Sequence, residues 1–329
     1  MLLIIIAFVA SVSSYFLTKL ACKILSRRAQ LDVPNERSMH KVPVPRGGGL
    51  AVIFVIVSGM TLFVWGQMEY LFILLPTIAL AMVSWFDDRM GLSARSRLFV
   101  HVLSALVASF ALPYNSTIFG GLLPFWADRA ILVVGLTWFM NLYNFMDGID
   151  GITGVESVSL AIGALLILYL VGLGDPFLFI TLALIAGACI GFLLLNWHPA
   201  KIFLGDVGSV PLGFLLGFIL AKMFMQYHLW AAFILPLYYL ADSGFTILKR
   251  ALRKEKLWLA HRKHFYQRAT QGLERHDHVV TRVFLANIAL IGAAMIAVDN
   301  PLIGVIIGCI ITGILLLWMQ QSAARCKSD

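Results

Sequence analysis

The fold is decided by three consecutive stretches: FLFITLALIAGACIGFLLL at 177–195, NWHPAKIFLGD at 196–206 and VGSVPLGFLLGFILAKMFM at 207–225. Each outer stretch is long enough to cross about 30 Å of hydrocarbon as a helix. The segment between them carries a histidine, a lysine and a carboxylate, which belong at a water-facing edge. The alternation recurs along the chain, with apolar runs at approximately 2–20, 48–65, 70–86, 98–112, 130–142, 157–173, 177–195, 207–225, 229–246, 281–298 and 302–319. Of 329 residues 60% are hydrophobic and 13% charged, with a mean hydropathy of +0.89, which excludes a soluble domain of this length. The expected fold is an all-α integral membrane protein, a polytopic bundle of about eleven transmembrane helices.

No Ser/Pro-rich linker, charged tail or low-complexity block interrupts the series, so 1–329 is expected to be a single membrane domain. The run at 2–20 is a first span rather than a signal peptide, because no basic segment precedes it and Lys19 and Lys23 accompany its end. Cys22, Cys189, Cys309 and Cys326 lack CxxC spacing and are expected to be unpaired thiols. Eleven crossings sort the polar segments into two sets. The set made of 21–47, 87–97, 143–156, 196–206, 247–280 and the C-terminal tail holds 21 of the 25 Lys and Arg residues. This asymmetry places it in the cytoplasm, with the N-terminus periplasmic and the C-terminus cytoplasmic. The net charge of +8 is therefore not a nucleic-acid footprint, since its carriers lie against the anionic headgroups of membrane lipids.

The unusual polar sequence falls in that same set, so one active site built from its loops is expected. Asp87-Asp88 closes the third span, and two adjacent carboxylates at a membrane boundary are costly unless a cation neutralises them. Asn141, Asn144, Asp147 and Asp150 recur three residues apart and would share one face if the helix persists, while Gly148 and Gly151 let the backbone approach a ligand. Asn196 opens the third stretch. There Asp206 and Ser209, flanked by Gly205 and Gly208, begin a helix whose N–H groups suit phosphate oxygens, with Asp206 placed to hold a metal. Carboxylates gathered from three loops suit a hard divalent cation, Mg²⁺ first, with Mn²⁺ as its substitute. His261 and His264 sit among Arg262, Lys263 and Arg268, which favours phosphate or base recognition over zinc. The basic run at 249–256 suits an amphipathic surface helix, and His276 and His278 suit solvated loop positions. In the first loop, Gly47-Gly48-Gly49 fits either a phosphate cradle or a helix-packing point, with His40 and Arg46 as secondary substrate-binding candidates.

Together these motifs resemble the polyprenyl-phosphate N-acetylhexosamine-1-phosphate transferases, the MraY/WecA family of glycosyltransferase family 4. The resemblance is carried by Asp87-Asp88 with Gly91-Leu92-Ser93, by Asn144 with Asp147-Gly148-Ile149-Asp150-Gly151, by Asn196 through Ser209, and by His261 through Gln267. The Asp32 to Gly49 segment, with Pro-Asn-Glu-Arg-Ser-Met-His and Pro-Arg-Gly-Gly-Gly, is similar to the family's first loop. The resemblance implies a bacterial inner-membrane enzyme with its site facing the cytoplasm. Undecaprenyl phosphate attacks the β-phosphorus of a UDP-N-acetylamino sugar, releasing UMP and starting O-antigen or another surface polysaccharide. By this resemblance Asp87 is the base or nucleophile-orienting carboxylate, Asp88 and Asp150 belong to the metal network, and Asp206 is the direct Mg²⁺ ligand. Asp147 and Asp150 support metal or diphosphate. Asn144, Asn196, Gly205 and Ser209 serve the donor, and His261, Arg262 and His264 its diphosphate and sugar end.

Tyr266 stands where many members have a further histidine, and His101 where many have glutamine. Both look like the branch that uses 6-deoxy amino sugars such as N-acetylfucosamine or N-acetylquinovosamine, with a UDP-N-acetylglucosamine-specific member as the alternative. A lipid-linked sugar transporter or a membrane scaffold are the remoter readings, and a homodimer stays open. A transporter should carry its charges mid-helix, and a scaffold leaves the carboxylates unexplained.

Overall fold

The computed structural model describes residues 1–28, 30–34, 39, 42–63, 68–256 and 261–325. Its helices are α1 (Leu2–Arg27), α2 (Gly49–Phe63), α3 (Leu71–Met90), α4 (Ala94–Ser109), α5 (Phe125–Phe145), α6 (Ile152–Leu170) and α7 (Pro176–Asn196). They continue with α8 (Asp206–Met225), α9 (Ala231–Ile234), α10 (Leu237–Leu252), α11 (Phe265–Leu273), α12 (His276–Asp299) and α13 (Pro301–Arg325). A helix stands at each expected crossing, but among the described residues only seven are both long and apolar enough to span hydrocarbon: α1, α3, α6, α7, α8, α12 and α13. The α2 helix is apolar but shorter. Arg95 and Arg97 lower the hydropathy of α4, and Asp128 and Arg129 that of α5.

The crossing expected at 229–246 is broken into α9 and α10. Pro236 lies at the break, and without an N–H it cannot continue the ladder. The α10 helix turns Tyr238, Tyr239, Asp242, Ser243 and Thr246 inward and leaves Phe245, Leu248 and Leu252 exposed. Its apolar side faces away from the bundle, the orientation a lipid-facing helix requires.

Burial identifies the centre of the bundle. In the most apolar window of α8, 89% of residues are buried, against 17% for α1. Around α8 pack α2, α3 and α5, while α7 joins α1, α2 and α6, and α12 pairs with α13. The α1–α7 crossing depends on Gly187 and Gly191, four residues apart, which lie against the carbonyls of Ala7 and Ser11. Close backbone approach at small residues is the usual means of helix association in lipid. A feature absent from the all-α expectation is a small antiparallel ribbon, β1 (Leu31–Asp32) with β2 (Val44–Pro45). A parallel bridge between Arg46 and Phe203 extends it toward the start of α8.

The α2–α8 contact is closer still, because a Cβ on Gly49 would collide with the Gly208 backbone. Gly49→Ala is expected to destabilise the protein by about 1–3 kcal/mol through overpacking. Gly135→Ala, where a Cβ meets nothing within 4 Å, is the control and should be near neutral. Thermal denaturation of the detergent-purified variants checks this; equal melting temperatures for the two would refute it.

Candidate active site

Two arginines hold three carboxylates at the ends of α3 and α8. The α3 helix stops at Gly91, whose φ of 68° closes the last turn and leaves Asp87 and Asp88 on it. Asp87 accepts the Leu92 N–H at 2.6 Å and pairs with Arg97 Nη1 at 3.0 Å. Arg46 Nη2 reaches Asp88 at 3.0 Å and Asp206 at 2.5 Å, and Arg97 lies 3.8 Å from the other Asp206 oxygen. Burial opposes the charge of Arg46, but Asp206 and Asp88 outweigh it and raise its pKa above the ordinary guanidinium value. Asp206 is oriented by a relay in which Ser209 Oγ donates to Asn144 Oδ1 at 2.6 Å and Asn144 Nδ2 donates to Asp206 at 3.2 Å. These residues come from α3, α4, α5, α8 and the segment between β2 and α2, so only the packing of distant parts of the chain brings them together.

Three sequence readings are decided here. Gly47, Gly48 and Gly49 do not cradle phosphate: their N–H groups donate to the carbonyls of Phe203, Phe203 and Leu204 at 3.1, 2.8 and 2.8 Å. The run is a packing point that sets Arg46 against Asp206. At the α8 start, the Gly208 and Ser209 N–H groups turn back to the Gly205 carbonyl and the Val207 N–H faces Asp88 at 3.5 Å. An internal carboxylate therefore occupies the position expected for a ligand phosphate. The polar stripe also divides, because α5 ends at Phe145 and Gly151 takes a left-handed φ of 80°. Asn141 turns to His101 at 3.3 Å, Asn144 to Asp206, and Asp150 to two histidines.

Asp147, Asp206, Asn144, Arg46, Gly148 and Gln267 are among the residues lining a cavity of about 320 Å³. Burial pushes the Asp147 carboxyl up to about 6, against the pull of Thr153 and Arg46. A second cavity of about 690 Å³, lined by Arg28, Trp85, Asp88 and Arg89, shares Asp32 and Arg46 with the first. Arg46 and its carboxylates thus form the wall between two cavities. Asn196 borders the first cavity but spends its amide internally, accepting the Gly151 N–H and donating to the Ile202 carbonyl, each at 2.9 Å. Its role there is to latch the turn before α6.

The histidine-bearing loop is held from below by Asp242, which the sequence reading missed. This buried carboxylate accepts from Phe265 N–H at 2.9 Å and Tyr266 N–H at 3.1 Å, and pairs with His264 Nδ1 at 3.1 Å. His264 is accordingly buried as an anchor. His261 stacks on it, 5.0 Å between centroids, and burial with the adjacent His264, Arg250 and Lys263 lowers its pKa to about 4, so it is neutral at pH 7. Arg262 is half-buried beside it, and His40 lies outside the described residues. The signal for Asp242 was available, since it is the lone charged residue in the apolar run at 229–246. His276, expected in solvent, is buried against Asp150, and no local pattern announces a partner 126 residues away.

Tyr266 is fully buried and donates its hydroxyl to the Phe145 carbonyl at 3.1 Å, where it also abuts Gly148. It therefore shapes the 147–151 turn from behind. A Cβ on Gly148 would strike that hydroxyl. Gly148→Ala is expected to cut turnover about tenfold or more, with part of the loss regained in Gly148→Ala/Tyr266→Phe. Steady-state rates of both variants check this, and a double variant no better than the single would exclude the clash as the cause.

The arrangement can neutralise a polyanion between two cavities and hold a cation with oxygen ligands. Residues 70–224, which contain Asp87, Asp88, Asn144, Asp147 and Asp206, match the family model described as glycosyl transferase family 4. The chain is 26% identical over 285 residues to the probable undecaprenyl-phosphate N-acetylglucosaminyl 1-phosphate transferase of Bacillus subtilis, covering 82% of this chain and 77% of that protein. It is 27% identical over 293 residues to the phospho-N-acetylmuramoyl-pentapeptide-transferase of Chlamydia pneumoniae, covering 78% and 81%. The decaprenyl-phosphate N-acetylglucosaminephosphotransferase of Mycobacterium tuberculosis is 27% identical over 348 residues, covering 91% and 83%.

Proposed function

We propose that the chain is a polyprenyl-phosphate hexosamine-1-phosphate transferase of glycosyl transferase family 4, as the family match and the similar relatives support. It moves an N-acetylamino-sugar 1-phosphate from a UDP-sugar to undecaprenyl phosphate on the cytoplasmic side of the bacterial inner membrane. The observation that carries this reading is the Arg46 wall, where Asp88 and Asp206 meet between two polar cavities. Each cavity is assigned one phosphate-bearing substrate: the donor beside Asp147 and Asn144, the lipid phosphate beside Arg28 and Arg89. The basic loops support the cytoplasmic placement and a periplasmic N-terminus.

An oxygen of the lipid phosphate bonds to the donor's β-phosphorus as the bridge to the α-phosphate breaks, and UMP leaves with the electron pair. A phosphomonoester has a second pKa of about 6, so the nucleophile is already largely dianionic at neutral pH. Asp87 and Arg97 then orient the attacking group, and no strong base is needed. Arg46 and Arg97 meet the charge that gathers on the phosphate oxygens. Asp88 and Asp206 fit a divalent cation, because a guanidinium nitrogen already bridges them where positive charge is required. Mg²⁺ held there would supply Lewis-acid neutralisation of the diphosphate. Asp150 contributes to the donor side through its turn.

For the sugar we propose a 6-deoxy amino sugar, UDP-N-acetylfucosamine or UDP-N-acetylquinovosamine, destined for O-antigen or another surface polysaccharide. Tyr266 supports this reading by shaping the cavity through Gly148, and His101 by its contact with Asn141, one turn before Asn144 on α5. UMP release from a panel of UDP-sugars differing at C4 and C6, with undecaprenyl phosphate and Mg²⁺, is expected to favour the 6-deoxy donors about tenfold or more. Preference for UDP-N-acetylglucosamine would overturn the sugar assignment, and no UMP from any donor would overturn the reaction.

A further inference from the structure

Asp150, His198 and His276 form a cluster apart from the Arg46 wall, and the transfer chemistry proposed above draws on it only through the turn that carries Asp150. Their ligand atoms lie within 4.8 Å of one another, supplied by the turn before α6, the turn after α7 and the first residue of α12. We propose that these three residues bind a borderline divalent transition ion, Zn²⁺ or a like cation, at a site separate from Asp88 and Asp206.

The donor set decides the class of ion. Two imidazole nitrogens and one carboxylate suit Zn²⁺, Co²⁺ or Ni²⁺, whereas Mg²⁺ requires oxygen ligands in a near-octahedral shell. The two Asp150 oxygens already face the two rings, at 2.6 Å from His198 Nδ1 and 3.2 Å from His276 Nδ1. The surroundings are those of a ligating histidine. His276 Nε2 lies 3.1 Å from the Met39 carbonyl, which accepts its N–H and leaves the Nδ1 lone pair toward Asp150. The Asp150 N–H donating to that same Nδ1 at 3.2 Å fits this tautomer. Outer partners of this kind orient metal-bound imidazoles and raise their basicity. The Ala200 N–H in turn fixes the Asp150 carboxylate at 3.1 Å.

Access is provided as well. Asp150 and His276 border the 320 Å³ cavity, so a fourth ligand, water, can approach from that side. Ligation through His198 Nδ1 requires the tautomer whose N–H lies on Nε2, which leaves the Nδ1 lone pair facing Asp150. The ion would tie the starts of α6 and α12 to the end of α7 and, through Met39, to the first loop.

The test uses the full chain in detergent, stripped with a chelator and kept in millimolar Mg²⁺. Zn²⁺ is expected to bind once per chain and raise the melting temperature, and Co²⁺ to give the intense visible absorption of low-coordinate ligation. His198→Gln and His276→Gln should each weaken Zn²⁺ by more than the roughly 10- to 100-fold that outer-partner changes cost. His198 is part-exposed, so His198→Gln keeps the test open if His276→Gln fails to fold. No bound Zn²⁺ in the native protein, or equal binding by the double variant, overturns the site. UMP release measured with Mg²⁺ alone separates this outcome from failure of the transferase reading.

Discussion

Asp206→Asn is expected to lower UMP release by about a thousandfold while the protein remains folded. The substitution keeps the shape and one oxygen, so Asn144 Nδ2, 3.2 Å away, retains an acceptor. What is lost is the charge that Arg46 Nη2 meets at 2.5 Å and that Arg97 faces at 3.8 Å. Removing one preorganised electrostatic group typically costs 10²–10³ in turnover, and a group that also holds a divalent cation belongs at or above the top of that range. The fold should be spared because Asp88 still engages Arg46 at 3.0 Å. Turnover across a Mg²⁺ titration checks this, with the variant requiring more Mg²⁺ for what activity it keeps. Native activity at native Mg²⁺ requirement in a folded Asp206→Asn protein would remove Asp206 from the site.

Asp242→Ala is the second large effect, and it works at a distance. Asp242 is fully buried and takes the first two N–H groups of α11 and the His264 ring, so its removal strands three donors in a dry interior. Breaking such an arrangement costs about 3–5 kcal/mol. Because the cost falls on one loop, we expect local release of 261–267 in place of global unfolding. Turnover should drop by roughly 100-fold. Hydrogen exchange at the Phe265 and Tyr266 amides should accelerate, and trypsin should cut near Lys263. Asp242→Asn, which keeps one acceptor oxygen, should fall between native and alanine in each measurement. Unchanged exchange at those two amides would show that the loop is held by something else.

The two residues were unequally visible before the fold was known. Asp206 announces itself between Gly205 and Gly208 at the edge of an apolar run. Asp242 is equally conspicuous by hydropathy, as the lone charge in its run, yet nothing nearby says that it caps a helix beginning at Phe265. The glycine run at 47–49 was legible only as a choice between a phosphate cradle and a packing point. Three exposed-looking N–H groups fit a phosphate, but tertiary hydrogen bonds to Phe203 and Leu204 had already taken them. His276 carries the least signal, because its partner Asp150 lies in the turn before α6 and its second partner, Met39, in the first loop.

What the amino-acid sequence determined by itself is whatever lipid and water read locally: apolar runs become helices, and basic segments mark one set of loops. Scarce carboxylates mark where chemistry collects, because an unpaired charge at the hydrocarbon boundary is too costly to be incidental. Tertiary structure alone decided the partnerships. Arg46 meets Asp206 across 160 residues because Gly49 and Gly208 let α2 and α8 touch backbone to backbone. Asp150 faces His198 and His276 because α6, α7 and α12 start or end at one level. Those outcomes depend on crossing angles and contact distances between helices, and such quantities leave no periodicity in any single segment.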